Sequence, residues 1–205
     1  MLTLRSETPV EWVDLACEQP LELLSDHAHC ELRAANAAQA LIHHHTVHTS
    51  LCDRLAALAV EEMAHFRQVL RLIEALGGRL LPGPKSPYAD GLLSGARQAR
   101  GARDDALLDR LLIAGLIEAR SLERFELLAE HAPQEELRGL YRELGPSERG
   151  HAELFPRLAE RLFDPSSVER RARELERLEA RVLDGLAPGA RMHSGPPRSE
   201  PVTRG

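Results

Sequence analysis

Apolar residues recur along this chain in alternating steps of three and four, the spacing that keeps side chains on one face of an α-helix. One stripe runs Leu24, Ala28, Glu31, Ala35, Ala38, Ile42, and the next Leu51, Leu55, Leu58, Glu62, His65, Val69, Leu72, Leu76. A third runs Leu107, Leu111, Ala114, Glu118, Ser121, Phe125, Leu128, and a fourth Leu137, Tyr141, Leu144, Glu148, His151, Phe155, Leu158, Leu162. These stripes predict four long helices over about 21–47, 50–76, 104–131 and 133–163. Ahead of them, Thr8-Pro9-Val10-Glu11 offers a capping Thr, a Pro at the first helical position and a Glu at the third. It predicts a short helix to about Glu18, ended by Pro20. Behind them, Asp164-Pro165 opens a last helix from Ser166 to about Leu183. Its alternating Arg and Glu over 169–181 read as a salt-bridged, solvated face.

The connections decide the fold class. His48-Thr49-Ser50 is a short, weak break, while Gly77-Gly78 closes a helix through the glycine preference just past its end. Residues 79–103 hold Pro82, Pro84, Pro87, Gly83, Gly91, Gly95 and Gly101, and read as a long connection with one helical turn around Leu92–Arg97. Two short links and one long one predict an all-α, ferritin-like four-helix bundle with a single long crossover. A short N-terminal helix and a C-terminal helix flank it. One domain is expected over 1–186, and the Pro- and Gly-bearing stretch 187–205 reads as a disordered tail.

Composition agrees with this picture. Hydrophobic residues make up 43% of the chain, enough for a core, and with aromatics at only 3% the vocabulary is that of helices. Cys17, Cys30 and Cys52 are scattered without a CxxC pair, and read as reduced thiols rather than a disulfide framework or a zinc site. No early segment has a charged start followed by an apolar run, and no stretch of about 18 apolar residues offers a membrane span. A cytoplasmic protein with no membrane association is expected. The net charge of −6 argues against a surface coated in positive potential. One stretch runs against that balance: Arg67, Arg71, Arg79, Lys85, Arg97, Arg100 and Arg103 stand against only Glu74 and Asp90. It is a candidate grip on nucleic-acid phosphates, with Tyr88 a candidate to stack on a base.

The chemistry lies in the polar residues that interrupt the stripes. Glu62-Met63-Ala64-His65 and Glu148-Arg149-Gly150-His151 are both Glu-x-x-His, and each follows another glutamate, Glu31 or Glu118, by about thirty residues. One such motif in a helical chain means little; two with matching upstream glutamates are hard to obtain by chance. All six residues fall where burial is expected, and a buried carboxylate costs several kcal/mol unless it is paired or bound to a cation. Four carboxylates in one core call for a strong counter-charge, which two divalent metals supply. The oxygen and imidazole donors suit iron or manganese better than zinc. Glu31, Glu62, His65, Glu118, Glu148 and His151 are therefore the candidate metal ligands. Glu61 and Glu153 sit off the stripes and read as solvated, and Glu123 lies too far around its helix from Glu118 to replace it. Consecutive His43-His44-His45, with His48, point in different directions and read as a solvated face. Asp26, His27 and His29 are candidates for hydrogen bonds to the ligands. Pro146 and Pro156 flank the second Glu-x-x-His and predict a bend there, which leaves His151 less firmly placed than His65.

Four segments carry a family resemblance: Asp26-His27-Ala28-His29-Cys30-Glu31, Glu61-Glu62-Met63-Ala64-His65-Phe66, Ile117 through Phe125, and Ser147-Glu148-Arg149-Gly150-His151. In order and spacing over roughly residues 8–163 the chain resembles the MiaE-type tRNA hydroxylases, which are ferritin-like di-iron monooxygenases. Glu-Ala-Arg-Ser-x-Glu-Arg-Phe is the most distinctive segment. The resemblance implies O2-dependent hydroxylation of the isopentenyl group of 2-methylthio-isopentenyl-adenosine beside the tRNA anticodon. It implies two iron ions, with Glu62 and Glu148 bridging, Glu31 and Glu118 terminal, and His65 and His151 each anchoring one ion. It also implies electrons from a separate reductase or ferredoxin, since no flavin or iron–sulfur motif is visible. The Glu-x-x-His pairs alone fit any ferritin-like protein. An iron-oxidising or peroxide-removing protein of the ferritin or rubrerythrin kind therefore stays the alternative.

Overall fold

Each helix starts and stops where its local chemistry satisfies the backbone groups that the helix itself leaves unpaired. A computed structural model describes residues 2–83, 85–102 and 104–197, and among these residues there are seven helices and no strand. They are α1 (Glu11–Cys17), α2 (Pro20–His44), α3 (Thr49–Ala75), α4 (Pro87–Ala99), α5 (Ala106–His131), α6 (Glu135–Leu162) and α7 (Pro165–Gly185). Pro20 occupies the first turn of α2, where a missing N–H costs nothing. Asp105 caps α5 by accepting from the Leu107 and Leu108 amides at 2.7 and 3.4 Å, and Asp164 caps α7 by accepting from Ser167 N at 3.1 Å. At the end of α3, Gly77 takes φ +74°, and Gly78 N donates to Ile73 O while Gly77 N donates to Glu74 O. That paired closure needs the left-handed backbone glycine provides.

The bundle is two antiparallel hairpins, α2 with α3 and α5 with α6, joined because α3 packs on α6. On the opposite side the α2 and α5 backbones stand farther apart and side chains bridge them, the His27 and Phe125 rings with centres 4.8 Å apart. α4 and α7 pack on one another and on α5, and α1 packs on α2 and α5. The predicted stripes are the buried faces. On every bundle helix the polar residue separates two apolar clusters: Ala28 from Ala38 around Glu31, Leu58 from Val69 around Glu62 and His65, Leu116 from Phe125 around Glu118, and Leu144 from Phe155 around Glu148 and His151. The core is thus two hydrocarbon blocks with one polar layer between them.

The structure corrects the sequence reading in three places. The crossover holds a thirteen-residue helix, α4, rather than one turn. It is capped by Ser86 and begins with Pro87, so the residues that looked like breakers are its start signals. α7 is not a merely solvated helix, since it buries Arg171, Glu176 and Glu179. Finally, residues 187–197, expected as part of a disordered tail, pack into the core; Met192 is fully buried and His193 and Ser194 nearly so. The rest of that expected tail, 198–205, lies outside the described residues.

The segment Glu118–Phe125 explains much of this. Arg120 and Arg124 point off α5 fully buried. Arg120 holds Glu179 of α7 with two bonds and also donates to Glu123 and to Ser6 O. Arg124 donates to the carbonyls of Met192 and Ser194 and lies 4.5 Å from the centre of the Trp12 ring. Both ends of the chain are tied to α5 through these two guanidinium groups. No described helix is long and apolar enough to cross a membrane.

Candidate metal centre

Glu-x-x-His places its two side chains one turn apart on a helix, and packing α3 against α6 sets two such pairs face to face. Ligand atoms of Glu62, His65, Glu148 and His151 all lie within 4.8 Å of one another, and all four residues are buried. His65 Nδ1 is 3.1 Å from Glu148 Oε1, and His151 Nδ1 is 3.1 Å from Glu62 Oε1, so each imidazole faces the glutamate of the other helix. Within each helix the distances are 3.9 Å for His65 to Glu62 and 3.5 Å for His151 to Glu148. Glu31 Oε2 completes the His65 side at 3.5 Å. Glu118 is buried beside this group and makes no hydrogen bond to a described residue.

These are close approaches, not hydrogen bonds. Glu31 Oε2, Glu62 Oε1, Glu148 Oε1, His65 Nδ1 and His151 Nδ1 are buried without an aligned partner. Buried polar atoms of native proteins are nearly always satisfied. Five unsatisfied atoms converging on one point mark a place shaped for a ligand that takes lone pairs, which is what a metal does. The outer atoms, by contrast, are held. His151 Nε2 donates to Glu61 Oε2 at 2.8 Å, which turns Nδ1 inward. His27 Nε2 donates to Glu31 Oε1 at 2.6 Å, and Tyr141 OH donates to His27 Nδ1 at 3.4 Å. Burial pushes His27 down to about 4, so its ring is neutral and has one hydrogen to give.

The electrostatics favour positive charge inside the cluster. Burial opposes charge on both imidazoles, yet Glu148 and Glu31 lift His65 to about 10, and Glu148 and Glu62 lift His151 to about 12. Glu148 faces both rings and is held at about 2 despite burial, while burial, reinforced by Glu31, pushes Glu62 up to about 9. Burial raises Glu31, and burial with the Glu62 and Glu148 carboxylates raises Glu118 well above the usual range.

Of the candidates read from sequence, all six ligand residues come to this layer. Asp26 does not; it accepts from Met192 N, and His29 donates to Leu81 O. Glu61 was read as solvated, and sequence periodicity hides its role: it is half-exposed, off the stripe, and reaches His151 across the helix gap. In the basic stretch, Arg67 and Arg71 are exposed one turn apart on α3, Arg79 is exposed in the loop after it and Arg97 on α4; Arg100 is paired with Asp109 at 2.8 Å, and Lys85 lies at the mouth of a cavity that ends on Glu118. Arg103 lies outside the described residues. Tyr88 is buried, not free to meet a base from solvent.

Residues 1–194 match the profile of the tRNA-(ms2io6A)-hydroxylase (MiaE) family. The chain is 35% identical over 192 residues to the tRNA 2-(methylsulfanyl)-N(6)-isopentenyladenosine(37) hydroxylase of Pseudomonas putida, covering 94% of this chain and 92% of that one. It is 33% identical over 147 residues to the protein of the same name from Salmonella typhimurium, covering 72% of this chain and 53% of that longer relative. Among solved structures, a Synechococcus protein with aldehyde deformylating oxygenase activity superposes with a TM-score of 0.87 at 41% identity, covering 98% of both chains.

Proposed function

The chain belongs to the tRNA-(ms2io6A)-hydroxylase family, and from that premise we propose that its central cluster holds two iron ions and serves the hydroxylation of an isopentenyl side chain. The protein is a tRNA-modifying hydroxylase whose substrate base is 2-methylthio-isopentenyladenosine at position 37 of tRNA. The observation that carries the metal reading is the convergence of the five unpartnered atoms of Glu31, Glu62, Glu148, His65 and His151. Four carboxylates balance the charge of two divalent ions, which removes the repulsion that would otherwise destabilise this layer.

Two iron ions held there would supply O2 activation for a hydroxylation in which two electrons and two protons from outside the chain leave one oxygen atom on the isopentenyl carbon and the other as water. The residues divide the remaining work. Glu62 and Glu148 lie between both imidazoles and take the central positions, and Glu31 and Glu118 take the flanks. His65 and His151 offer one Nδ1 each. His27 and Glu61 orient Glu31 and His151 and keep their inner lone pairs turned to the centre. The hydrocarbon blocks on either side keep bulk water out.

Metal analysis of the purified protein should give about two iron ions per chain, and a Glu62→Gln, Glu148→Gln double variant should bind almost none. Iron retained at wild-type level in that variant would remove the site assignment. For the reaction, nucleosides of tRNA from cells lacking the gene should contain 2-methylthio-isopentenyladenosine without its hydroxylated form, and unchanged hydroxylation would remove the tRNA role. A second reading, an aldehyde deformylating oxygenase, is favoured by the likeness to the Synechococcus chain. Release of formate and alkane from an added aldehyde, with O2 and a reductant, would support it.

A further inference from the structure

Between α2 and α5 the bundle is packed around His27 and Phe125, and beyond Glu31 and Glu118 it opens into a cavity that α4 borders. We propose that the slot between α2 and α5 receives the prenylated base edgewise, with its alkyl chain running down to Glu118 and its phosphates left outside beside Lys85 and Arg110. This rests on the hydroxylase reading above and adds which residues select the substrate.

Four observations support it. The cavity measures about 460 Å³, within the range of small-molecule sites, and its walls are largely hydrocarbon. Small side chains make the space: Ala34 and Ala37 on α2 face Ala114 and Ile117 on α5. At the floor stands Glu118, buried and without a hydrogen bond to a described residue, so the cavity ends on a carboxylate of the metal cluster and not on inert core. An alkyl chain in the slot is therefore aimed at the reacting centre. At the mouth the exposed Lys85 and Arg110 and the half-buried Arg33 outnumber the exposed Asp90, which favours an occupant whose outer end is anionic. A nucleotide with an apolar substituent has that polarity; a simple hydrocarbon chain does not.

One wall comes from parts of the chain that are distant in sequence. Tyr88 of α4 and His193 of the C-terminal segment both line the cavity and stack with ring centres 4.7 Å apart and planes inclined by 11°. Tyr88 OH donates to Glu179 at 2.8 Å, and His193 is placed by Ser121 Oγ at 3.1 Å. These bonds fix the orientation of both rings, so filling the slot from the opposite walls tests its size directly.

The test measures binding to the metal-free protein by equilibrium dialysis, using isopentenyladenosine, adenosine and an anticodon stem-loop carrying the prenylated base. Ala114→Leu and Ala34→Leu fill the slot from opposite walls; iron content and thermal midpoint are recorded for each. Expected is a loss of at least about tenfold in isopentenyladenosine affinity, the scale of an added branched group in an apolar pocket. Adenosine binding stays weak throughout, and iron loading stays at the wild-type level. A Lys85→Ala, Arg110→Ala pair should weaken the stem-loop and leave the nucleoside unchanged. If both filling variants bind and hydroxylate as wild type, the slot is wrong while the reaction stands. If wild type binds no prenylated nucleoside and modifies no tRNA, the hydroxylase reading fails with it. Tight binding of a long-chain aldehyde, unaffected by phosphate-bearing competitors, would overturn the occupant.

Discussion

Two sets of charged side chains are buried in this protein, and they are built on opposite terms. Beneath α7, Arg171 holds Asp109 through Nε at 2.7 Å and Nη2 at 3.1 Å, and donates again to Ala96 O. Arg120 holds Glu179 in the same forked way at 3.0 and 3.1 Å. Each cation there has a carboxylate across from it, aligned and satisfied. In the central layer the carboxylates outnumber the imidazoles, and their inner atoms approach without aligning. The first set carries its counter-ion within the chain and is structural. The second leaves its inner atoms without partners of its own, and that is what makes it the candidate site for a cation from outside.

The largest expected effect separates the two sets directly. Asp109→Ala takes the forked partner from buried Arg171, leaving it Glu174 at 2.7 Å and Asp104 at 3.6 Å, and should lower unfolding free energy by about 3 kcal/mol, with or without a chelator present. Glu62→Gln, in contrast, replaces a carboxyl that burial already holds protonated in the absence of metal. Its metal-free unfolding midpoint in urea should equal or exceed that of wild type, and the extra stability that iron confers on wild type should vanish. A chelator-sensitive Asp109 variant, or a Glu62 variant that loses stability without metal, would erase the distinction.

A smaller change probes the boundary of the metal layer. Glu61→Gln keeps a hydrogen-bond acceptor for His151 but removes the charge, and should weaken iron binding about 10- to 100-fold at unchanged metal-free stability. Equal iron affinity would return Glu61 to the role of an ordinary surface charge.

The smallest effect concerns His193, which lies between the two regions. Burial, with Arg124, Arg33 and Arg120 nearby, holds its ring well below the ordinary value of 6.5. The unfolded chain therefore takes up a proton below about pH 6.5 that the folded chain does not. Stability must fall as pH drops through that range, by at most about 1.4 kcal/mol per pH unit for one proton. His193→Asn should remove this part of the slope, read as the difference in urea midpoints between pH 7 and pH 5. Parallel slopes in the two proteins would show that the C-terminal segment is not held by a neutral His193.

Much of the metal layer is legible before folding. Glu31, Glu62, His65, Glu118, Glu148 and His151 interrupt apolar stripes, and the repeated spacing puts all six at one height in the bundle. The length of α4 is not legible, because Pro87 and the glycines around it serve equally as helix starts and as breakers. Arg171, Glu176 and Glu179 look like the exposed charges beside them, since an Arg/Glu run has the same hydropathy whether or not partners bury it. Residues 187–197 have the composition of a loose end, yet Arg124 and Asp26 satisfy their backbone.

Helical periodicity is a local property, set within a few turns of chain. It was enough to place the ligands on inward faces and to imply a cation among them. Whether a buried charge is satisfied depends on what stands opposite it, and here the partners lie far apart in sequence: Asp109 and Arg171, Arg124 and Met192, Glu61 and His151. The slot depends likewise on α2 and α5 standing apart, which no stripe on either helix records. Those matters were decided by tertiary packing, because desolvation and hydrogen-bond alignment act between surfaces that meet only when the chain has folded.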